Sequence, residues 1–225
     1  MKITLEQNFT RLENDVETPI SQFVHHIGDQ EGILFESAEV DGRWGRFSII
    51  ATDFLLCVTC SDGLLRLDTR DERLSPLKEY DGLPFVEGMR KVMASLDIGV
   101  SLPEGVKESD IPPITRSLCG YFGYGMAGVF EPKLAGVLPP AEAEACLVLP
   151  GTVIMFDHVY NRVCRLSLKN DDSQEPLYRN TLMRPTKIGK IESSFSKDDY
   201  IRVVREVQER LRQGEGMTVV PSVSF

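Results

Sequence analysis

Closely spaced apolar runs between residues 33 and 68 constrain the fold of this chain more than any other feature. The runs are Ile33–Phe35, Phe47–Ala51, Phe54–Thr59 and Leu64–Leu67. Short apolar runs bounded by turn-forming residues predict strands joined by tight connections. Asp62-Gly63, which separates the last two runs, is a strong signal for a β-hairpin. The segment therefore predicts an antiparallel meander, and its sequence contains no glycine-rich loop that would cradle a phosphate.

An acid and a hydroxyl, Glu36 and Ser37, end the first of these runs. Both groups accept hydrogen bonds from an ammonium group, so the pair is suited to a small cationic ligand. Alternatively, Glu36 faces water and Ser37 opens a turn, because loops carry polar residues for many reasons. The residues by themselves leave both interpretations open.

Other segments have the apolar periodicity of amphipathic helices. The first begins with Thr18 as the N-cap and Pro19 in the first helical position. The second is Leu83–Leu96. The third follows a capping box that begins at Ser196, and it ends at Gly214.

The remaining segments predict one long loop and further strands. Residues 97–116 are rich in Pro, Gly and charge, which predicts a mobile surface loop. Leu118–Gly125 is dense in Gly and aromatic residues, so its backbone either approaches another strand or a ligand closely, or carries aromatic packing. Ala145–Phe156 and Val159–Leu168 predict two strands around a turn, and Met217–Val220 predicts the start of another strand.

Neither the cysteines nor the histidines form a pattern that assigns catalysis or metal binding. Cys57 and Cys60 make a single CxxC pair, and thiols three residues apart on a strand face opposite ways. Reduced structural cysteines are therefore expected. His158 lies in a predicted turn, and His25 and His26 near a helix C-terminus suit favourable charge there better than metal binding. We assign no catalytic residue and no metal ligand within the chain.

Composition and charge disfavour several classes of function. The 225 residues carry a net charge of −9, which disfavours nonspecific binding to nucleic acid or to anionic membranes. No apolar run approaches the roughly 20 residues that span a bilayer, and the first residues lack the apolar core of a signal peptide. The sequence therefore predicts a cytoplasmic globular protein of one large domain or two small ones, without nucleic-acid or membrane partners.

Several stretches together resemble anthranilate synthase component I, a family of chorismate-utilising enzymes. The matching stretches are Leu34–Ala38, Arg43–Ser48, Gly120–Tyr124 with Phe130-Glu131, Phe195–Tyr200 and Gly214–Ser222. They follow the order of the family's motifs LLESA…RWGRYSF, GYFGYD…FE and FS…Y…V…GDIFQVVPSRRF. Order and spacing agree across nearly the whole chain, so the match is specific as a set.

The resemblance implies an α+β fold, with antiparallel β-sheets packed orthogonally and helices outside. It places the family's N-terminal region at residues 1–170, a linker at 171–194 and the start of the chorismate-binding domain at 195–225. The family's chains are longer, and their chorismate-binding and Mg²⁺-binding residues lie beyond the last of these segments. The chain is therefore expected to lack a complete active site.

The resemblance also implies an activity and a regulator. The family adds ammonia to chorismate and eliminates pyruvate to give anthranilate for tryptophan biosynthesis. The ammonia comes from glutamine through a separate amidotransferase subunit, and Mg²⁺ is the cofactor. In tryptophan-sensitive members a Glu-Ser pair helps to hold the feedback inhibitor. The resemblance therefore implies that Ser37 and Glu36 contact the amino acid head group of tryptophan.

The chain departs from the family's motifs at several positions. Gly125 stands where Asp is usual, Gly216 replaces Ile, Thr218 replaces Gln, and Val223-Ser224 replaces Arg-Arg or Gln-Arg. Loss of the basic side chain disfavours binding of a dicarboxylate such as chorismate, which indicates a truncated or degenerate copy. The alternatives are an aminodeoxychorismate synthase component I, the first half of a split enzyme, and a stand-alone module that senses tryptophan or docks on a partner. Val219–Ser222 favours the anthranilate branch over its sister.

Overall fold

The computed structural model describes residues 2–13, 18–27, 30–36, 45–139, 144–168, 189–190 and 192–224. The chain divides into two compact units, Met1–Thr181 and Leu182–Phe225, and each is described by itself. Within the described ranges, none of the helices has the length and apolar character needed to cross a membrane.

The described residues of the first unit form one sheet of eight strands. The strands are β1 (Ile3–Leu12), β2 (Gly32–Phe35), β3 (Phe47–Ser61), β4 (Leu64–Thr69), β5 (Leu96–Ser101), β6 (Cys119–Phe122), β7 (Ala145–Asp157) and β8 (Arg162–Ser167). Their order is β2-β3-β7-β8-β1-β5, with β4 beside β3 and β6 beside β7. Only the pair β1–β5 is parallel among the described strands. The helices of this unit are α1 (Pro19–Ile27), α2 (Phe85–Ser95) and the short α3 (Ala127–Phe130).

This mixed architecture, a mostly antiparallel sheet with flanking helices, confirms the predicted α+β class. Within the described residues, five 3₁₀ segments connect the strands and helices, at Glu72–Tyr80, Glu108–Asp110, Pro113–Arg116, Tyr124–Met126 and Pro132–Leu134. Hydrogen bonding joins the described strands into a single continuous sheet.

Two long strands, β3 and β7, form the centre of this sheet. The two runs predicted within Phe47–Thr59 belong to one strand, which passes through Asp53, where φ is +55°, and then through a bulge between Phe54 and Leu56, where the pairing register shifts. Gly151 of β7 faces this irregular stretch, and a Cβ there would lie 2.6 Å from the backbone oxygen of Asp53. On one side of the bulge β2 and β8 flank the central pair, and on the other side β4 and β6 do so. A bulge bends a strand, so it separates two halves of the sheet.

Two local signals in the sequence are confirmed. Asp62 and Gly63 connect β3 and β4 with φ values of +52° and +74°, which are those of a tight hairpin turn. Thr18 caps α1, because its Oγ1 accepts a hydrogen bond of 3.1 Å from the backbone N–H of Ser21. The turn and the cap each involve only a few neighbouring residues, so the sequence alone was sufficient to predict both.

The prediction of a loop over residues 97–116 is wrong for residues 97–101 and for the two 3₁₀ segments, whereas residues 102–107 have neither helix nor strand. Leu96–Ser101 is strand β5, which pairs in parallel with β1, and two 3₁₀ segments follow it. Helix α2 accordingly ends at Ser95 rather than at Leu96. β1 alternates buried and exposed residues, which is the pattern of a strand with one face in the core. The sequence did not reveal β5, because its hydrogen-bonding partner lies more than ninety residues away in the chain.

The core packs against both faces of the sheet. Around β2 and β8, one face carries Ile50, Ile154 and Phe156 against Ile27 of α1. The opposite face of that half packs on Ile111, which lies just after the first of the short 3₁₀ segments that follow β5. The other half of the sheet packs on α2 and on the 3₁₀ segment Glu72–Tyr80. The 3₁₀ segment Glu108–Asp110 and Ile111 therefore cover the sheet on this opposite face, near β2 and β8.

The second unit contains helix α4 (Lys197–Arg212) in its described part. Ser196 caps it as predicted, because the Ser196 side chain accepts a hydrogen bond of 3.1 Å from the backbone N–H of Asp199. Gly214 follows the helix with φ of +82°. The predicted strand Met217–Val220 is wrong, because this segment has no strand pairing within the described residues and Met217 is 98% exposed.

Candidate functional site

Five strands begin or end at the same end of the sheet in the first unit, and we call this region the sheet end. Its register pairs are Phe35↔Ile49, Phe47↔Asp157, Asp157↔Arg162 and Leu12↔Val163. The pairing collects polar side chains that lie far apart in the sequence. Arg46, for example, contacts Asp157 although 111 residues separate them.

Arg46 and Asp157 form a two-point ion pair at the sheet end. Nη2 of Arg46 donates a hydrogen bond of 2.7 Å to Oδ2 of Asp157, and Nε lies 3.2 Å from each carboxylate oxygen. The Asp157 side chain is only 6% exposed, whereas that of Arg46 is 29% exposed. The guanidinium also lies over the rings of Phe47 and Tyr160, at 4.6 Å and 5.0 Å from their centroids. The ion pair is therefore held from several sides.

Asp157 is ionised despite its burial. Burial by itself raises the pKa of Asp157, but hydrogen bonds from Arg46 and from the backbone N–H groups of Tyr160 and Val159 outweigh it. The net pKa of this carboxyl group lies below its ordinary value. Asp157 in turn raises the pKa of Arg46 further, with a smaller contribution from Asp110. The sheet end is therefore charged at neutral pH.

The turn after Asp157 confirms the interpretation of His158 as a turn residue. Residues 158–161 form the turn between β7 and β8, with Asn161 at φ of +49°. Nε2 of His158 lies 2.8 Å from Oγ of the buried Ser48. The backbone N–H of His158 donates a hydrogen bond of 2.8 Å to the carbonyl of Arg46. These contacts fix the turn against the start of β3.

A cavity of about 270 Å³ opens beside the Arg46–Asp157 pair. Its apolar lining comes from the sheet and from the segment after β5, with Phe9, Val106, Ile111, Met155, Val163 and Cys164. Its polar lining consists of three arginines and three acids, with Arg11, Arg46, Arg162, Glu104, Asp110 and Asp157. Arg162 also lies over the ring of Tyr160 at 5.2 Å. Because Asp157 is already paired with Arg46, the remaining charged groups can contact a ligand.

The cavity combines an apolar floor with charges of both signs. A ligand that suits it has an apolar body, a carboxylate for Arg11 or Arg162, and an ammonium group for Glu104 or Asp110. A free amino acid has these groups, and one with a large side chain is comparable in size to the cavity. The lining of the cavity is thus suited to binding such a ligand.

Of the two ligand-binding residues predicted from the sequence, the structure describes only Glu36. Glu36 directly follows β2 at the sheet end and is exposed, but it is not among the described residues that line the cavity. Ser37 lies outside the described residues. Sequence reasoning missed Arg11 and Arg162, and it placed Glu104 and Asp110 in a surface loop. The long-range pairing of β1, β7 and β8 brings these residues together, and no local sequence pattern predicts this pairing.

The Gly-rich aromatic segment has a structural explanation. At Gly120 of β6, a Cβ would lie 2.0 Å from the backbone oxygen of Cys146. The close approach is therefore to the neighbouring strand β7. The Phe122 ring packs edge-on against those of Phe130 and Phe85, at centroid distances of 5.5 Å and 6.3 Å. The segment therefore shows both the close approach to another strand and the aromatic packing that its sequence predicted.

The described residues do not supply a metal site. Across the described ranges, no group of three or more His, Cys, Asp or Glu side chains is placed to hold a metal ion. The Mg²⁺ that the resemblance implies therefore finds no fitting ligand set among these residues, and no chemical step is assigned to it.

Comparison with protein families identifies the class of protein. Residues 84–225 match the family model described as chorismate binding enzyme. The match covers more than half of the chain, and the chain belongs to this family. It begins well before residue 195, so it includes part of the region predicted as N-terminal. The boundaries at 1–170, 171–194 and 195–225 stay predictions.

The similar curated proteins are named anthranilate synthase component 1. That of Acinetobacter calcoaceticus is 26% identical over 92% of this chain, and the match covers 44% of the relative. That of Pseudomonas aeruginosa is 24% identical over 92% of the chain and 45% of the relative. That of Aquifex aeolicus is 24% identical over 96% of the chain and 47% of the relative. The chain thus spans less than half the length of the relatives that it matches.

Proposed function

We propose that this chain is the N-terminal part of an enzyme that converts chorismate and ammonia to anthranilate and pyruvate in tryptophan biosynthesis. One observation carries the proposal: relatives named anthranilate synthase component 1 match over at least nine-tenths of the chain. Because the match covers under half of each relative, a complete active site requires residues beyond those aligned here. A cytoplasmic location and an Mg²⁺ requirement belong to the same proposal.

The relatives' name, component 1, indicates that those enzymes work with a second component. We propose that the partner here is a glutamine amidotransferase subunit, which would supply ammonia from glutamine. This chain can take part in such an assembly only together with the remaining catalytic residues.

Anthranilate fluorescence tests the enzymatic part of the proposal. The purified chain with chorismate, ammonium and Mg²⁺ is expected to give no anthranilate. Addition of a second polypeptide covering the rest of the relatives' length is expected to produce anthranilate, and omission of chorismate is the blank. Turnover by the chain alone would contradict the need for a second half. Failure of a folded, associated mixture to turn over would contradict the reaction.

The cavity at the sheet end favours a second, regulatory role. We propose that the sheet end binds tryptophan as a feedback inhibitor, with Ser37 and Glu36 at its amino acid head group, as the resemblance implies. The support is the general character of the sheet end: its cavity, which Glu36 does not line, has mixed charges and an apolar floor that suit a zwitterion with a large apolar side chain. The same role would apply if the chain acted alone as a tryptophan-sensing or partner-docking module. No described feature favours aminodeoxychorismate synthase over the anthranilate branch.

Thermal unfolding with and without tryptophan tests this role. A ligand that binds only the folded state raises the unfolding midpoint, by several degrees at a concentration about 100 times Kd. Ser37→Ala and Glu36→Gln are expected to reduce the shift, whereas Ser61→Ala, at an exposed position at the end of β3, should leave it unchanged. No shift with tryptophan in the folded wild type would contradict the regulatory role.

A further inference from the structure

We propose that Cys57 and Cys146 form a reversible disulfide when the protein meets a small-molecule disulfide such as oxidised glutathione. This would make the centre of the sheet a site of oxidative modification. The proposal is independent of the activity proposed above, because it rests on two thiols that the sheet end does not use.

The two sulfurs already touch. Sγ of Cys57 lies 3.8 Å from Sγ of Cys146, on the adjacent central strands β3 and β7. In the pairing register Cys57 lies opposite Val148 and Cys146 lies opposite Thr59, so the two cysteines are diagonal neighbours. A disulfide requires a separation of about 2.0 Å, which leaves the sulfurs about 1.8 Å to move. Diagonal neighbours on one face of a sheet lie about 7–8 Å apart, slightly beyond the usual Cα separation of a disulfide, so closing the bond also requires a small shift of the two strands.

Both cysteines are also free, and neither residue is fully buried. Cys57 and Cys146 are partly exposed, whereas Cys60, Cys119 and Cys164 are buried. Cys60 packs in the core cluster that contains Phe85, while Cys57 and Cys146 pack in a different cluster with Val148. The CxxC pair that the sequence offers is therefore separated by the sheet. The geometry selects Cys146 as the partner of Cys57.

The chemistry consists of two thiol–disulfide exchanges. The Cys57 thiolate attacks one sulfur of the small disulfide and displaces the other half as a thiolate. The Cys146 thiolate then attacks Sγ of Cys57 and displaces the second half. Two cysteine thiols and one small disulfide give one protein disulfide and two small thiols, with both protons passing to the small thiolates. Excess small thiol reverses the reaction.

The surroundings of Cys57 make the reaction slow at neutral pH. Burial, then the neighbouring Cys146, raises the pKa of the Cys57 thiol to about 11. Arg70 lowers it and Asp68 raises it, and both lie on or just after β4 on the other side of Cys57. Tyr121 of β6 lies opposite Cys146. Because the thiolate is the attacking species, the rate should rise about tenfold per pH unit between neutral pH and that pKa.

Peptide mapping of the oxidised chain tests the proposal. The purified chain is incubated with oxidised glutathione at pH 9, quenched with acid, alkylated and digested without reduction. We expect one cross-linked peptide pair that joins Cys57 to Cys146, with a mass lower by two hydrogen atoms, and its loss after treatment with reduced glutathione. The oxidised chain should also unfold at a higher temperature, because a cross-link between residues 89 apart restricts the unfolded chain.

Single substitutions provide the controls. Cys57→Ser and Cys146→Ser should each abolish the cross-link and leave the other thiol as a mixed disulfide with glutathione or unmodified. Cys119→Ser and Cys164→Ser, which change buried thiols, should leave it intact. Full alkylation of both thiols in the folded wild type after prolonged oxidation would overturn the proposal. A dominant cross-link between Cys57 and Cys60, or to Cys119, would overturn it as well.

Discussion

At the scale of single residues, the ion pair of Arg46 and Asp157 determines the electrostatics of the sheet end. Asp157 is nearly buried and ionised, and among the described residues its charge is compensated by Arg46 and by the backbone N–H groups of Val159 and Tyr160. A buried carboxylate that loses its partner is strongly destabilising, whereas the intact pair contributes little beyond what apolar residues would. The main role of the ion pair is therefore to position the turn after β7 and the wall of the cavity.

Removal of Arg46 should destabilise the first unit. For Arg46→Ala we expect a loss of about 3 kcal/mol in the free energy of unfolding, because the Asp157 carboxylate stays buried without its cation. The control is Arg66→Ala, which breaks the exposed pair of Arg66 with Asp81 and should change the free energy by less than about 1 kcal/mol. Urea unfolding measures both. Equal effects in the two variants would contradict the role of burial.

The depressed pKa of Asp157 predicts an acid-dependent loss of stability. A carboxyl group with a folded pKa below its unfolded value contributes stability above the unfolded pKa, and this stability is lost as the pH falls through the folded pKa. Between about pH 5 and pH 2 the wild type should therefore lose more stability than Asp157→Asn. Other carboxyl groups with lowered pKa, among them Asp71 and Glu31, remain in both proteins and cancel in the difference. Parallel acid profiles of the two proteins would refute the assignment.

At the scale of elements, strand β6 can pair with β7 only because residue 120 is a glycine. Gly120 lies so close to β7 that any Cβ would meet the backbone of Cys146 and Leu147. Backbone atoms at the centre of a sheet cannot move aside as a flexible side chain can. Phe122, which follows Gly120 in β6, packs on Phe85 of α2 and Phe130 of α3, so the position of β6 also determines these contacts.

Gly120→Ala should therefore loosen β6 and lower stability by about 3 kcal/mol, at the high end of the range for overpacking in a core. The matched control is Gly136→Ala, because no atom lies within 4 Å of a Cβ built at Gly136. Circular dichroism during urea unfolding gives both free energies. If Gly120→Ala were as stable as Gly136→Ala, the close approach of the two strands would be incorrect.

At the scale of the whole molecule, the two units differ in how much of their apolar surface is buried. The first unit has a core on both faces of its sheet, with fully buried residues such as Leu56 and Leu149. In the second unit, no residue of helix α4 is buried, although its apolar residues recur at helical spacing. A helix of 16 residues without tertiary burial is marginal in water.

Hydrogen exchange should separate the two units. Amides of β3 and β7 are expected to exchange only through global unfolding, whereas those of α4 should exchange orders of magnitude faster through local fraying. The Ser196→Ala variant should speed exchange in α4 further, because the cap contributes about 1 kcal/mol to the helix. Protection of α4 equal to that of β3 would contradict the expected local fraying of the helix.

The sequence by itself determined the features that depend on a few neighbouring residues, and it determined the family. The Asp62-Gly63 turn, the Thr18 and Ser196 caps and the long strand before Asp157 all follow from backbone preferences and short hydrogen bonds. Motifs in a fixed order were enough to recognise the relatives, because order and spacing survive at low identity. The resemblance to these relatives also implied the α+β class.

Only the tertiary structure decided which distant residues meet. Strand β5 forms because β1 offers it a partner, and the charged cavity exists because β1, β7 and β8 end side by side. Arg46 and Asp157, like Cys57 and Cys146, lie about a hundred residues apart and give no local signal of their contact. Local backbone preferences depend on a few neighbouring residues. Strand pairing, in contrast, is determined by burial and hydrogen bonding across the whole unit.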